Sequence, residues 1–297
     1  MTTAIARILL QEDLNFLVTN RIPRRTVSLL MAWFSHIESR PLTKLSVAVW
    51  RQFAHDLDLT EAEADEFLSL HDVFVRRLKD GARPIDPSPT SVVSPCDAVV
   101  GAMGRVERGM ALQAKGMRYP IEDLLHDDAL IRTHEGGWFV TLRLRSSMYH
   151  RFHAPLDARV RRVTYISGDT WNVNPIALKR VERLFCKNER AVVELVPSDP
   201  ALTLTMVPVA AILVAGIKLH CLEGVFNLAY DGPERVDCDA SYEKGDELGY
   251  FQSGSTIVLF ASGPVRFAPS VREGMNIRMG EPLLVRSFEL VNSKENS

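Results

Sequence analysis

Cysteine is scarce in this 297-residue chain: Cys96, Cys186, Cys221 and Cys238 form no CxxC pair. Four thiols so spaced cannot staple a disulfide scaffold and read as reduced cysteines of a cytosolic protein. An excess of charge of one sign is also missing, with 35 Lys and Arg against 37 Asp and Glu and a formal net charge of −2. That balance argues against nucleic acid as a partner, which needs a clustered positive surface. Long apolar runs are absent. The uncharged stretch from Thr26 to Ile37 would span roughly 18 Å as a helix, against a hydrocarbon core of about 30 Å. Val207 to Ile217 is equally short, and its composition suits a buried strand. Glu12 and Asp13 interrupt the place where a signal peptide would have its apolar centre. No repeat or low-complexity tract is present. With 46% hydrophobic residues, the chain can bury a sizeable core.

The patterning that is there changes character along the chain. Residues 1–80 read as a helical segment. Val27, Leu30, Met31, Phe34 and Ile37 recur at helical spacing after the basic cluster Arg21, Arg24 and Arg25, and Leu42, Leu45, Val49 and Phe53 form a second stripe. Thr60 and Glu63 resemble a capping box opening a third helix towards Leu70. Asp56 to Asp72 holds seven acids and no Lys or Arg, as a solvated face would. The two stripes either pack on the core or lie on a membrane surface, with Trp33 and Phe34 in the headgroup region and Arg21, Arg24 and Arg25 on anionic phosphates.

A Pro-rich passage from Arg83 to Pro89 marks a boundary, and beyond it the period falls to two. Val140, Leu142 and Leu144 alternate with Thr141, Arg143 and Arg145, and Leu202, Leu204 and Met206 alternate with Thr203 and Thr205. Further β-rich runs lie at Arg159–Ile166, Ala191–Val196, Thr256–Ala261 and Pro282–Val285, with a helix expected over Ala177–Leu184. The fold class is therefore α+β: an N-terminal helical segment, then a mainly antiparallel β core over residues 81–297.

Three places carry groups suited to chemistry. His150 and His153 lie in Tyr149-His150-Arg151-Phe152-His153, where they are either unrelated histidines or a pair sharing one side of a turn. HxxH alone is a weak metal signature and nothing nearby completes a ligand set, so no metal is assigned. Ser253-Gly254-Ser255-Thr256 is either a polar turn before a strand or a site where the Ser255 hydroxyl meets the unshielded Gly254 carbonyl, given a base. Asp97, in the turn Ser94-Pro95-Cys96-Asp97, is an ordinary turn residue alone. With His153 and Ser255 it would supply the acid of an Asp–His–Ser set.

Taken together, these motifs resemble the phosphatidylserine decarboxylase proenzymes of the bacterial type. The resemblance runs from Phe74-Val75-Arg76-Arg77-Leu78 and Arg83-Pro84-Ile85-Asp86 through Pro95-Cys96-Asp97 and Gln113-Ala114-Lys115-Gly116. It continues through Tyr149-His150-Arg151-Phe152-His153, Gly168-Asp169, Val173-Asn174, Asn188-Glu189-Arg190, Val214-Ala215-Gly216 and Lys244–Gly249 to Gly254-Ser255-Thr256. It covers residues 74 to about 285. Ser146, Met148 and Ser253 depart from the family pattern. None removes a proposed catalytic group, though Ser253 places a second hydroxyl beside the cut.

The resemblance implies self-cleavage between Gly254 and Ser255 into a β chain of residues 1–254 and an α chain of residues 255–297. Ser255 would attack Gly254, His153 would take the proton and Asp97 would orient His153. Ser255 would then become a covalent pyruvoyl group, the built-in cofactor, which forms a Schiff base with phosphatidylserine. Loss of carbon dioxide would follow, with His150 as proton donor, giving phosphatidylethanolamine. The expected partner is phosphatidylserine in an anionic membrane surface. The expected place is peripheral, on the cytoplasmic face of the cell membrane, and a homo-oligomer is left open. A lipid substrate also favours the membrane-surface reading of the N-terminal stripes. The rival readings are a pyruvoyl decarboxylase of a soluble amino acid, a zinc hydrolase built on His150, His153 and Asp97, and an unprocessed lipid-binding module. A biotinyl or lipoyl carrier is disfavoured, since no Met-Lys-Met stretch exists.

Overall fold

The structure is a computed structural model that describes residues 12–13, 16, 23–114, 116–212, 216–252 and 255–287. Helices α1 (Arg24–Ser35), α2 (Arg40–Trp50) and α3 (Leu70–Phe74) precede strands β1 (Ser91–Val93), β2 (Ala98–Arg105), β3 (Met110–Ala114) and β4 (Met117–Pro120). Short helices α4 (Glu122–Leu125) and α5 (Asp128–His134) lead to β5 (Trp138–Leu144), β6 (Arg151–His153) and β7 (Ala158–Ile166). After α6 (Pro175–Arg180) and α7 (Leu184–Lys187) come β8 (Arg190–Pro197), β9 (Thr203–Val209), β10 (Ile217–Leu219) and β11 (Val225–Phe226). The chain then runs through β12 (Arg235–Tyr242), β13 (Glu247–Phe251), β14 (Ser255–Ser262), β15 (Val265–Phe267), β16 (Asn276–Ile277) and β17 (Pro282–Arg286).

An eight-stranded antiparallel sheet in the order β12-β7-β8-β9-β14-β5-β2-β16 forms the frame. Its central strand β14, Ser-Thr-Ile-Val-Leu-Phe-Ala-Ser, is buried along nearly its whole length. A strand covered on both faces reads as a continuous apolar run, and the two faces serve two cores. Ile257, Leu259 and Ala261 join Leu142, Leu144, Phe152 and Phe251. Val258 and Phe260 join Val207, Val209, Leu124 and Phe185. The first core is closed by a small sheet, β11-β10-β13-β6, and the second by helices α4 to α7. Both faces being covered also explains why Thr141 and Thr205 are buried although the alternation suggests polar faces. Thr205 Oγ1 bonds His134 Nε2 at 2.8 Å.

The strand runs expected at Arg159–Ile166, Ala191–Val196, Thr256–Ala261 and Pro282–Val285 fall within β7, β8, β14 and β17. Three local expectations fail for identifiable reasons. No helix opens at Thr60, because its N–H and hydroxyl both donate to Asp58 Oδ1, at 2.8 and 2.6 Å. The next residues pair with the chain at Arg77–Lys79 instead. The capping box belongs to α3, where Ser69 and Asp72 cap each other reciprocally. The helix over Ala177–Leu184 is broken into α6 and α7, because the Gln113 amide donates to the carbonyls of Leu178 and Val181 while its oxygen accepts from Leu184 N–H. The apolar run from Val207 also stops being a strand after Val209, and Leu213 to Ala215 lie outside the described residues.

The N-terminal helices turn polar residues inward and apolar ones outward. Ser28 and Ser35 are the buried positions of α1 and Thr43 that of α2, whereas Leu29, Leu30, Trp33, Leu45, Val49 and Phe53 are exposed, Trp33 by 69%. Arg24 does not stand free beside them. It pairs with Asp169 and lies 3.7 Å above the Trp171 ring, and Arg25 donates to the Leu228 carbonyl at 2.9 Å. Arg24 is thereby committed to docking α1 on the core, contrary to the expectation that it meets lipid phosphates; Arg21 lies outside the described residues.

Candidate active site

His153 ends β6, which is only three residues long and is held at its place by neighbours. Its backbone N–H donates to the Pro95 carbonyl at 2.8 Å, and the strand pairs with β13. Gly249 of β13 has to be glycine, since a Cβ there would lie 2.0 Å from the Lys218 carbonyl oxygen of β10. The His153 ring is buried, with Nδ1 2.8 Å from the Gly245 carbonyl and Nε2 3.0 Å from the Tyr149 hydroxyl. A carbonyl only accepts, so Nδ1 carries the proton and Tyr149 donates to Nε2. Burial lowers the imidazole's pKa, leaving it neutral at physiological pH.

Asp97 sits in the same turn region but faces another partner. Arg83 Nε donates to its two oxygens at 2.8 and 3.0 Å, Arg83 Nη2 donates at 2.6 Å, and the Met279 N–H donates at 2.9 Å. Both side chains of this ion pair are almost fully buried. Asp97 and His153 therefore share no hydrogen bond among the described residues, although the carboxylate's charge is felt at the imidazole. This corrects the expectation that Asp97 orients His153 directly: the Gly245 carbonyl does so here, and Arg83 takes the carboxylate.

Ser255 begins β14, opposite Leu144 of β5. It is completely buried and its Oγ has no hydrogen-bond partner among the described residues. Ser253 and Gly254 lie outside the described residues. The chain reaches Ser255 from Phe251, whose N–H donates to the His150 carbonyl at 3.0 Å. The His150 ring is buried too. Nδ1 donates to the Met148 carbonyl at 2.8 Å, which leaves an acceptor lone pair on Nε2, also without a partner. Burial, with the nearby Arg76 charge adding to it, pushes its pKa down to about 3. That lies well below the ordinary histidine value of 6.5. His150 is a neutral acceptor, and it can donate from Nε2 only after collecting a proton there. Ser255 Oγ and His150 Nε2 are two of nine buried side-chain polar atoms without a hydrogen-bond partner among the described residues, and each forgoes the hydrogen bonds it had in water.

A cavity of about 490 Å³ adjoins these residues. Phe74, whose ring meets the His150 ring edge-on with centroids 5.8 Å apart, lines it together with Leu144, the strand partner of Ser255. Met31 and Phe53 bring the wall up to the exposed apolar face of the N-terminal helices. A second cavity, of about 680 Å³, is lined by Tyr149, His220, Glu247 and Arg77 and approaches the Tyr149 side of His153.

Comparison with known proteins points the same way. The family model for phosphatidylserine decarboxylase matches residues 70–285. Three phosphatidylserine decarboxylase proenzymes illustrate the likeness. That of Anaeromyxobacter sp. (strain K) is 37% identical over 267 residues, covering 87% of this chain and 92% of its own. That of Brevibacillus brevis is 31% identical over 272 residues, covering 90% and 96%. That of Yersinia pestis (strain Pestoides F) is 32% identical over 279 residues, covering 88% and 92%. The chain belongs to the phosphatidylserine decarboxylase family. It is accordingly a decarboxylase, a carboxy-lyase of phospholipid biosynthesis.

Membership gives the unpartnered serine a context. A pyruvoyl group made from a serine needs a hydroxyl screened from water, and the buried Ser255 Oγ fits that requirement. Among the described residues no helix is long and apolar enough to cross a membrane. Arg83, Tyr149 and Phe74 escaped the sequence reading as site residues. All three stood in recognisable motifs, but only folding shows that Arg83 touches Asp97, Tyr149 touches His153 and Phe74 meets the His150 ring.

Proposed function

We propose that this decarboxylase processes itself at Gly254–Ser255 and converts phosphatidylserine to phosphatidylethanolamine and carbon dioxide. The observation that carries the reading is the buried, unpartnered Ser255 hydroxyl at the head of the central strand, in a chain of this family.

In the processing step Ser255 Oγ bonds to the Gly254 carbonyl carbon as the peptide C–N bond breaks. The hydroxyl proton passes to an imidazole, for which His153 is the assigned base, and the freed Ser255 nitrogen takes up a proton. His153 is neutral and so able to accept, but its Nε2 is engaged by Tyr149. Processing through it requires that hydrogen bond to open or the Tyr149 hydroxyl to relay the proton. Asp97 stays in the set as the acid whose charge favours the imidazolium, acting from its Arg83 clamp. Removal of the Ser255 α-proton then expels the Gly254 carboxylate as the end of the β chain, residues 1–254. Water replaces ammonia at position 255, leaving the α chain, residues 255–297, with a pyruvoyl terminus.

That group supplies the carbonyl electron sink that decarboxylation of an amino acid headgroup requires. His150 is assigned to deliver the proton that replaces the lost carboxylate, from Nε2, once that atom has been charged with one.

The residues are proposed to divide into a helical segment, 1–80, that meets the bilayer and a catalytic core, 81–297. The exposed Leu29, Leu30, Trp33, Leu45, Val49 and Phe53 support a peripheral position on a membrane, proposed to be the cytoplasmic face of the cell membrane, because apolar side chains so placed gain by entering the headgroup region.

Intact mass under denaturing conditions tests the processing, beside a Ser255→Ala variant. Two fragments split after Gly254 with a pyruvoyl terminus, and none in the variant, are expected. A folded wild-type chain that stays whole would refute it. Assaying the processed protein on phosphatidylserine, serine and tryptophan tests the substrate, and turnover of a free amino acid alone would overturn the lipid assignment.

A further inference from the structure

Arg143 has a place in the cavity that the processing chemistry does not use. It lies on β5 opposite Thr256 of β14, at the end of the strands where Leu144 pairs with Ser255, and its side chain leaves the sheet on the face opposite to theirs. It lines the 490 Å³ cavity among Val173, Ala211, Met31 and Phe53. Two other charged residues line that cavity, Asp56 and Arg145, and they pair with each other at 2.9 Å. Arg143 is half-buried, and its guanidinium makes no hydrogen bond or ion pair with any described residue. Burial, and then the like charge of Arg145, lower its pKa, so the folded chain holds this cation at a cost. A guanidinium presents a planar fork of donors matched to an oxyanion, and one without a protein partner in a half-apolar cavity is open to an oxyanion of a ligand.

We propose that Arg143 is the phosphate-binding residue of this site, pairing with the phosphodiester of a phospholipid headgroup that enters from the apolar side of the cavity. The proposal rests on the reading of the substrate as phosphatidylserine. The substrate offers two anions, and the reaction decides between them. Its carboxylate leaves as neutral carbon dioxide, so a cation bound there would stabilise the ground state more than the transition state and oppose catalysis. The phosphate keeps its charge throughout, and it lies one methylene and one oxygen from the reacting carbon. The acyl chains beyond it would leave past Met31 and Phe53, towards the exposed face of α1 and α2.

Titration calorimetry on the uncut Ser255→Ala chain tests this with dihexanoyl phosphatidylethanolamine, which has phosphate and amine but no carboxylate, and with dihexanoyl phosphatidylserine. Adding Arg143→Met should weaken both lipids by roughly ten- to thirtyfold, while Arg143→Lys should retain most of the affinity. Inorganic phosphate competing equally well would show a simple anion site and overturn the headgroup assignment. Unchanged affinity in Arg143→Met, loss for phosphatidylserine alone, or no binding of either lipid by the folded parent would also overturn it. In the processed enzyme the same substitution should raise KM for phosphatidylserine by a like factor and spare kcat. A wild-type enzyme that cuts itself and turns over the lipid, with Arg143→Met showing an unaltered KM, would remove the phosphate site alone. Absence of cutting or turnover in the wild type would instead remove the reading beneath it.

Discussion

Replacing Arg83 by Met should destabilise the fold by about 3–5 kcal/mol, the range for removing one partner of a buried ion pair. The structure supports the upper part of that range. Side-chain exposures are 7% for Arg83 and 9% for Asp97, and Asp97 would be left with the Met279 N–H as its donor. Glu61 also loses a contact, but it is 30% exposed and keeps Arg278 at 3.6 Å, so its share is below about 1 kcal/mol. Urea unfolding of the Ser255→Ala chain, which stays in one piece if Ser255 is the processing nucleophile, reads the loss as a lower midpoint at unchanged slope. Arg83→Met/Asp97→Leu should recover most of it and lie within about 2 kcal/mol of the parent, since no charge is then stranded. A single-variant loss under about 1 kcal/mol, or a double variant as damaged as the two singles summed, would refute the buried clamp.

Gly249→Ala should cost at least about 2 kcal/mol and slow the appearance of the two fragments. Its methyl would strike the Lys218 carbonyl and splay the small sheet that seats His153, so a melting curve and a cutting time course measure both effects. His134 is fully buried and pushed down to about 4 by burial, from 6.5. Below pH 6.5 the unfolded chain takes up a proton there and the native one does not. Stability should therefore fall by roughly 1.4 kcal/mol per pH unit on this account as pH drops towards 4, and urea midpoints at pH 7, 6 and 5 should show a shallower fall in His134→Gln. Trp33→Ser/Phe53→Ser should abolish sedimentation with anionic vesicles while shifting the urea midpoint little, because both side chains are already in water.

Much of the frame was legible because it depends on short-range pattern. β7, β8, β14 and β17 arise from alternating or continuous apolar runs, and α1 and α2 from helical spacing. What could not be read depends on which distant group captures a local one. The Thr60 cap fails because Asp58 and the chain at Arg77–Lys79 claim its surroundings, and the helix after Asn174 breaks on Gln113, more than sixty residues away. Burial is equally invisible to pattern: α1 turns Ser28 and Ser35 inward and Leu30 and Trp33 outward, against the usual sense of an amphipathic helix.

The same distinction governs the site. Residue types disclosed Asp97, His150, His153 and Ser255 as candidates, but not who holds whom. Orientation of a histidine is set by whatever faces Nδ1, and in this chain that is the Gly245 carbonyl. Such a carbonyl fixes the tautomer as firmly as a carboxylate would, yet gives much less stabilisation to an imidazolium. Glu247 and, to a smaller extent, Asp97 restore part of that through space, with Asp97 kept in position by Arg83. Asp97→Asn should therefore slow cutting without moving the His153 ring, and Arg83→Met should slow it by releasing Asp97. If Asp97→Asn cuts at the parental rate, the carboxylate serves only the fold, and the base acts from its carbonyl seat alone.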